Sequence, residues 1–211
     1  MESPKPVHVA VDFDNTLAHF EGGRDGIFEL FHEQHVPVAV VESLYEETKK
    51  EGGFNIDRLI KKVTDRVGAI IDETRLKQEF AAWLHRSLTL YVDAQDFLLK
   101  IKKLNIPLSI ISVGDPSFQE QKIKALGINP DSLHIVPRVG DKSHVLSELL
   151  RNTDSSIIYI DDKATELDAI KRQIDSDKII TVRIIRSDSP YKDERAQLEH
   201  TEVSNLNDIE I

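Results

Sequence analysis

The sequence predicts an α/β fold: a Rossmann-like parallel sheet flanked by helices, with an inserted all-helical cap. Three observations lead there. Short apolar runs at Val7 to Phe13, Ile106 to Val113, Leu133 to Val136, Ser156 to Ile160 and Lys178 to Ile185 alternate, after the first, with amphipathic helical stretches, the pattern of a parallel sheet covered on both faces. Between the first and second runs, Arg24 to about Ser87 shows helical periodicity and no good strand. The unusual polar residues of the alternating part fall at the C-terminal ends of apolar runs, where such sheets bind ligands.

The first strand is short and β-branched at Val7, Val9 and Val11, and it runs directly into Asp12 and Asp14. Two residues apart, these carboxylates share one face. Taken alone, D-x-D-x-T is equally a turn signal, because Asp and Asn open turns, and a site. Glu21-Gly22-Gly23 breaks the chain, and the cap helices follow. Val40, Leu44 and Tyr45 form a stripe after Pro37. Asn55 caps a helix whose apolar positions are Ile56, Leu59, Ile60, Val63 and Val67. Asp72 caps another, with Leu76, Phe80, Trp83 and Leu84 facing inward.

From Tyr91 the alternation resumes. Asp93 is expected to cap a helix ending near Leu104, and Pro116 to start one that Gly127 ends, with Phe118, Ile123 and Leu126 inward. Ser143 to Leu150 and a stretch carrying Leu167, Ile170 and Ile174 supply two more helices. The polar segment from Pro190 onward is expected to lie on the surface and to close with Val203, Leu206 and Ile209 packed back. Domain boundaries follow: 1–20 and 89–211 for the sheet domain, 21–88 for the cap.

Composition narrows the function. The 211 residues carry a formal net charge of −10 and no long basic run, which disfavours extended nucleic acid as a partner. Cysteine is absent, so disulfide and thiolate chemistry are excluded. M-E-S-P-K-P has no apolar core of a signal peptide and no run reaches membrane-spanning length; the expectation is a cytoplasmic protein with no membrane partner and a small-molecule ligand. Its oligomeric state is not readable.

The parallel-sheet rule brings Asp12 and Asp14 from the first strand, Ser112 from the second and Asp161 and Asp162 from the fourth to one rim, with Lys142 at the start of the helix before the fourth. Acids clustered this closely repel unless a proton or cation separates them. Hard oxygen donors at this density suit Mg²⁺, and Mg²⁺ would attract a phosphate that Ser112 and Lys142 help to hold.

D-F-D-N-T-L at 12–17, the strand ending in Ser112, Lys142, and I-D-D at 160–162, in that order and with Lys142 19 residues before Asp161, resemble motifs one to four of the haloacid dehalogenase-like superfamily. The resemblance extends over nearly the whole chain, the insertion after motif one being similar to a type I cap. It implies a Mg²⁺-dependent phosphatase acting on a small phosphomonoester. Asp12 would be the nucleophile forming an aspartyl-phosphate, and Asp14 the acid and base. In dehalogenating members the second Asp is typically absent, which favours phosphoryl chemistry here. The metal would be held by Asp12, the Asp14 backbone carbonyl and Asp162, with Asp161 a direct or an indirect ligand, and Thr16 would help orient Asp14 or serve as a turn hydroxyl.

Other residues compete for these roles. Lys122 is a rival cation, more simply a solvated helix residue, and Lys163 is a weaker one. Asp115 is a helix cap, Asp168 a surface helix position or a support for motif four, and Asp141 a loop acid competing for Lys142. His32 and His35 lie three apart on an expected helix but lack the partners of a zinc site; His19 is a linker residue or a substrate contact. Gly22-Gly23 and Leu88 to Tyr91 are the natural hinges for a cap that gates access. Arg24, Arg58, His85 and Arg86 are available to read a leaving group. The alternatives are a catalytically quiet binding or regulatory member, and phosphotransfer to an acceptor other than water.

Overall fold

The computed structural model describes residues 7–68 and 71–211; the M-E-S-P-K-P leader falls outside them. In chain order the elements are β1 (Val7–Val11), β2 (Ala18–Phe20), α1 (Asp25–His32), α2 (Val38–Lys50), α3 (Ile56–Val67), α4 (Glu73–Ser87), β3 (Leu88–Leu90), α5 (Val92–Lys103), β4 (Leu108–Val113), α6 (Pro116–Ala125), β5 (Ser132–Val136), α7 (Lys142–Arg151), β6 (Ser156–Asp161), α8 (Ala164–Gln173), β7 (Ile179–Ile184) and β8 (Thr201–Val203), followed by a 3₁₀ turn at Leu206–Asp208. Among the described residues no helix is long and apolar enough to cross a membrane.

The described residues divide into two compact units, 7–19 with 90–112 and 130–211, and 20–68 and 71–89 with 113–129. The first is built on a six-stranded sheet of order β5-β4-β1-β6-β7-β8. β1 lies centrally and pairs in parallel with β4, in register Val11 with Ile110, and with β6, in register Val11 with Ile160. β7 continues in parallel from β6, and β8 from β7. Because parallel neighbours end at the same edge, Asp12, Ser112 and Asp161 are delivered to one level. On one face Ala10, Ile111, Ile157, Tyr159 and Ile179 pack with Leu146 of α7 and Leu167 and Ile170 of α8. Leu206 and Ile209 are buried as the sequence suggests. β8, β2 and β3, three residues each, are too short to leave a periodic signal.

Asp93 does not cap α5. That position belongs to Tyr91, without a side-chain bond, and Asp93 turns inward to accept from Arg186 Nη1 at 2.9 and 2.8 Å and from the Leu206 backbone at 2.8 Å. The competing force is a buried guanidinium, whose paired carboxylate contributes more than an exposed cap.

The second unit is helical. Asn55 caps α3 and Asp72 caps α4, each accepting from the backbone three residues on. The apolar positions of α4 are buried as expected, and so are those of α3 apart from Val67, which is exposed. On α2 the buried position is Val41 rather than Val40, which is half-buried. α1 ends at His32, and His35 adopts a left-handed φ of 63° in the following turn, so the two histidines do not share a helix. Phe118 of α6 lies among Phe54 and Phe80, with ring centroids 4.8 and 5.9 Å away, which places 113–129 with these helices although the βα alternation assigns it to the sheet domain. Gly53, at a φ of +97°, approaches the Gly114–Asp115 backbone so closely that a Cβ would collide with it. Arg58 and Asn55 then hold the Asp115 carboxylate, each at 3.1 Å, while Asp115 caps α6.

Candidate active site

The site grows from the turn that follows β1. The Asp12 amide still donates to Ile160 O at 2.8 Å, extending the sheet by one rung. Phe13 O then accepts from the Thr16, Leu17 and Ala18 amides, and Asn15 takes a φ of 55°, which Asn tolerates better than most residues. The turn reading and the site reading of D-F-D-N-T are therefore both realised: Asn15 makes the turn, and the turn holds the acids. Thr16 is buried, and its hydroxyl accepts from the Asp162 amide at 3.1 Å, joining the first motif to the fourth. Asp14 is half-buried.

Lys142, the first residue of α7, is 2 % exposed, and its Nζ lies 2.7 Å from both Asp12 Oδ1 and Asp161 Oδ2. The loop before it is secured by Glu166, whose carboxylate accepts from the Gly140 amide at 3.0 and 3.1 Å, and by Ser143, whose hydroxyl donates to Gly140 O at 2.8 Å. Asp161 also accepts from the Tyr159 hydroxyl and from the Lys163 amide. Asp162 accepts from Ser189 at 2.6 Å. Ser112 is buried at the end of β4.

One ligand-capable oxygen each from Asp12, Asp161 and Asp162 lies within 4.8 Å of the others, all three residues being buried. One ammonium cannot neutralise three such carboxylates. Burial, reinforced by Asp161 and Asp162, pushes Asp12 well above the usual carboxylate range against the pull of Lys142, and burial with Asp161 raises Asp162 to about 7. Lys142 moves upward as well: Asp12 and Asp161 outweigh its own burial, so it stays charged. The cluster is thus short of positive charge and made of hard oxygen donors, which fits a divalent cation such as Mg²⁺. Asp162 and Asp12 would hold the ion; the Asp161 oxygens are already engaged by Lys142, Tyr159 and Lys163.

Several competing assignments are corrected. Lys122 is not a solvated helix residue: it is 1 % exposed, its Nζ 5.0 Å from the centre of the Phe118 ring. Asp168 is not a surface position either, since it is buried and accepts from the Gln197 and Leu198 amides at 2.9 and 2.8 Å and meets His200 at 3.1 Å. Asp141 pairs with Arg138. Lys163 lies over the Tyr191 ring. His19 bonds Asp188 at 2.6 Å and stacks on Tyr91, and Arg24 donates to the Tyr45 hydroxyl. Sequence reading missed Glu166, Arg186 and Ser189: Glu166 and Ser189 sit at no strand end, and Arg186, just past the end of β7, offered that signal but was not singled out.

A parallel sheet with its acids and one lysine at the carboxyl edge is the arrangement expected of a haloacid dehalogenase-like hydrolase. The family model for haloacid dehalogenase-like hydrolases matches residues 7–172, and the chain belongs to that family. Among solved structures, it resembles a haloacid dehalogenase-like hydrolase from Burkholderia xenovorans LB400, with a TM-score of 0.69, 19 % identity and 97 % of each chain covered. It is also similar to the L-2-haloacid dehalogenase of Xanthobacter autotrophicus with chloropropionic acid covalently bound (TM-score 0.59, 15 % identity, 97 % and 96 % covered). A third relative in fold is a family hydrolase from Deinococcus radiodurans R1 with bound phosphate and sodium (TM-score 0.52, 15 % identity, 95 % and 92 % covered). No curated protein matches the sequence.

Proposed function

We propose that this hydrolase is a Mg²⁺-dependent phosphatase acting on a small phosphomonoester. The observation that carries the reading is the buried triad Asp12, Asp161 and Asp162 with Lys142 bonded to two of its members. Three carboxylates sharing one lysine suit a site that takes up a cation and then an anion. Asp14, two residues after the nucleophile, supplies the second carboxylate that phosphoryl transfer to water needs and dehalogenation does not.

In this reading an Asp12 carboxylate oxygen attacks phosphorus as the bond to the leaving oxygen breaks, and Asp14 gives its proton to that oxygen. Asp14 then takes a proton from water as the water attacks the aspartyl-phosphate, releasing phosphate and restoring Asp12. Lys142 orients Asp12 and, with Ser112, meets the phosphoryl oxygens. Catalysis rests on fixed charges aimed where charge develops. Bound Mg²⁺ would supply the remaining positive charge. Asp161 keeps Lys142 in place. Two helical-unit residues open to leaving-group reading in sequence, Arg24 and Arg58, are engaged with Tyr45 and Asp115.

The test is hydrolysis of an aryl phosphate and a panel of phosphometabolites with Mg²⁺, beside an Asp12→Asn control, and halide release from 2-chloropropionate as a parallel arm. Phosphate release that depends on both Asp12 and Mg²⁺ is expected. Halide release without phosphate release, or no turnover on either, overturns the reading.

A further inference from the structure

The segment joining β7 to β8 brings the Ser189 hydroxyl to the Asp162 carboxylate at the rim. We propose that Ser189 is a positioning residue for the metal site: its hydroxyl fixes the carboxylate of Asp162, which the phosphatase reading above, on which this rests, makes a Mg²⁺ ligand.

The Ser189 hydroxyl has a defined direction. It accepts from the Tyr191 amide at 3.0 Å, so its own proton is directed to Asp162 Oδ2 at 2.6 Å. Both residues are buried, where such a bond to a charged acceptor is strong. The donor is itself held still. The Ser189 amide bonds Arg186 O at 3.1 Å, and Arg183 Nη2 donates to Tyr191 O at 3.0 Å. Arg186 is paired with Asp93 and donates to Thr16 O at 2.8 Å, while the Thr16 hydroxyl takes the Asp162 amide. Asp162 is therefore gripped at its backbone by the first-motif turn and at its side chain by Ser189, and Arg186 ties those two grips together. With one carboxylate oxygen held by Ser189, the other is the one presented to a cation. Groups that orient a metal ligand in this way typically alter metal affinity when removed, by roughly 10- to 100-fold.

The experiment measures Mn²⁺ binding to the full chain by electron paramagnetic resonance, with Mn²⁺ standing in for Mg²⁺, alongside the Mg²⁺ dependence of kcat. Ser189→Ala is expected to weaken Mn²⁺ binding by roughly 10- to 100-fold and to raise the Mg²⁺ activation constant in step, with kcat at saturating Mg²⁺ largely kept. Ser189→Cys, close in shape but a weak donor, should fall with the alanine variant, and it carries the test if that variant does not fold. Ser189→Thr, which keeps the hydroxyl, should bind Mn²⁺ close to wild type. Wild-type affinity in the Ala or Cys variant overturns the proposal, as does a Thr variant as weak as Ala. A wild-type chain that binds no divalent ion overturns the phosphatase reading itself, and that measurement needs no variant.

Discussion

The two units handle charge in opposite ways. In the helical unit the ion pairs lie mostly on the surface: Lys61 with Asp65, Lys49 with Glu46 and Lys77 with Asp57 are all well exposed. In the sheet unit Lys142 with Asp12 and Asp161, and Arg186 with Asp93, are almost wholly buried. Exposed pairs gain little because water already solvates both partners. Buried pairs carry a desolvation cost that hydrophobic replacements would avoid. Buried charge is therefore informative about role in a way surface charge is not, and here the buried partners of Lys142, Asp12 and Asp161, stand at the sheet's carboxyl edge.

The sharpest break of that contrast is Asp12→Asn. Turnover of an aryl phosphate should fall by on the order of 10³-fold or more, as expected when a nucleophile is lost. The metal-free fold should hold or gain stability, because burial and two neighbouring acids already disfavour the charge on Asp12. Thermal unfolding in chelator checks the second half. Removing the metal from wild-type enzyme with EDTA should abolish turnover, and added Mg²⁺ should restore it; full activity in chelator would sink the metal assignment.

Next in size is Arg186→Met, which strands the buried Asp93. A loss of about 3–5 kcal/mol in denaturant unfolding is expected, the usual cost of leaving one member of a buried pair alone. Asp168 tests the same contrast through pH. Its bonds from Gln197, His200 and Leu198 outweigh the upward push of burial and hold it below its ordinary 3.8. A depressed carboxylate contributes stability above its unfolded pKa and loses it as pH falls through the lower native value. Asp168→Asn should flatten the acid limb of the stability profile below about pH 4. Smallest is Lys61→Ala in the helical unit, expected within about 0.5 kcal/mol of wild type. A larger change would show that surface pairs in the helical unit matter more than their exposure implies.

The placement of the candidate site residues at one edge was readable because its signals are local. Asp12, Asp14, Ser112, Asp161 and Asp162 stand at or just past the ends of apolar runs, and the parallel-sheet rule alone sends such ends to one edge. The helix caps Asn55, Asp72 and Asp115 were readable for the same reason, each acting on an amide three residues away. Asp93 misled because it stands where a cap would stand and is recruited instead by Arg186, distant in sequence. Lys122 and Asp168 misled because a charged residue on an amphipathic helix is usually solvated, and only the packing around each shows otherwise.

By itself, then, the sequence determined the order of the strands' polar ends, the parallel α/β class and the acid-rich chemistry of the edge, since period, punctuation and residue type are properties of neighbours in the chain. The tertiary structure alone decided how that chemistry is arranged. Lys142 bridges Asp12 and Asp161 across 130 and 19 residues, and Ser189 reaches Asp162 across 27. Contacts of that span leave no periodic trace. They exist because β1 and β6 lie side by side at the centre of the sheet, and because the segment after β7 is held against their carboxyl ends by Arg183 and Arg186.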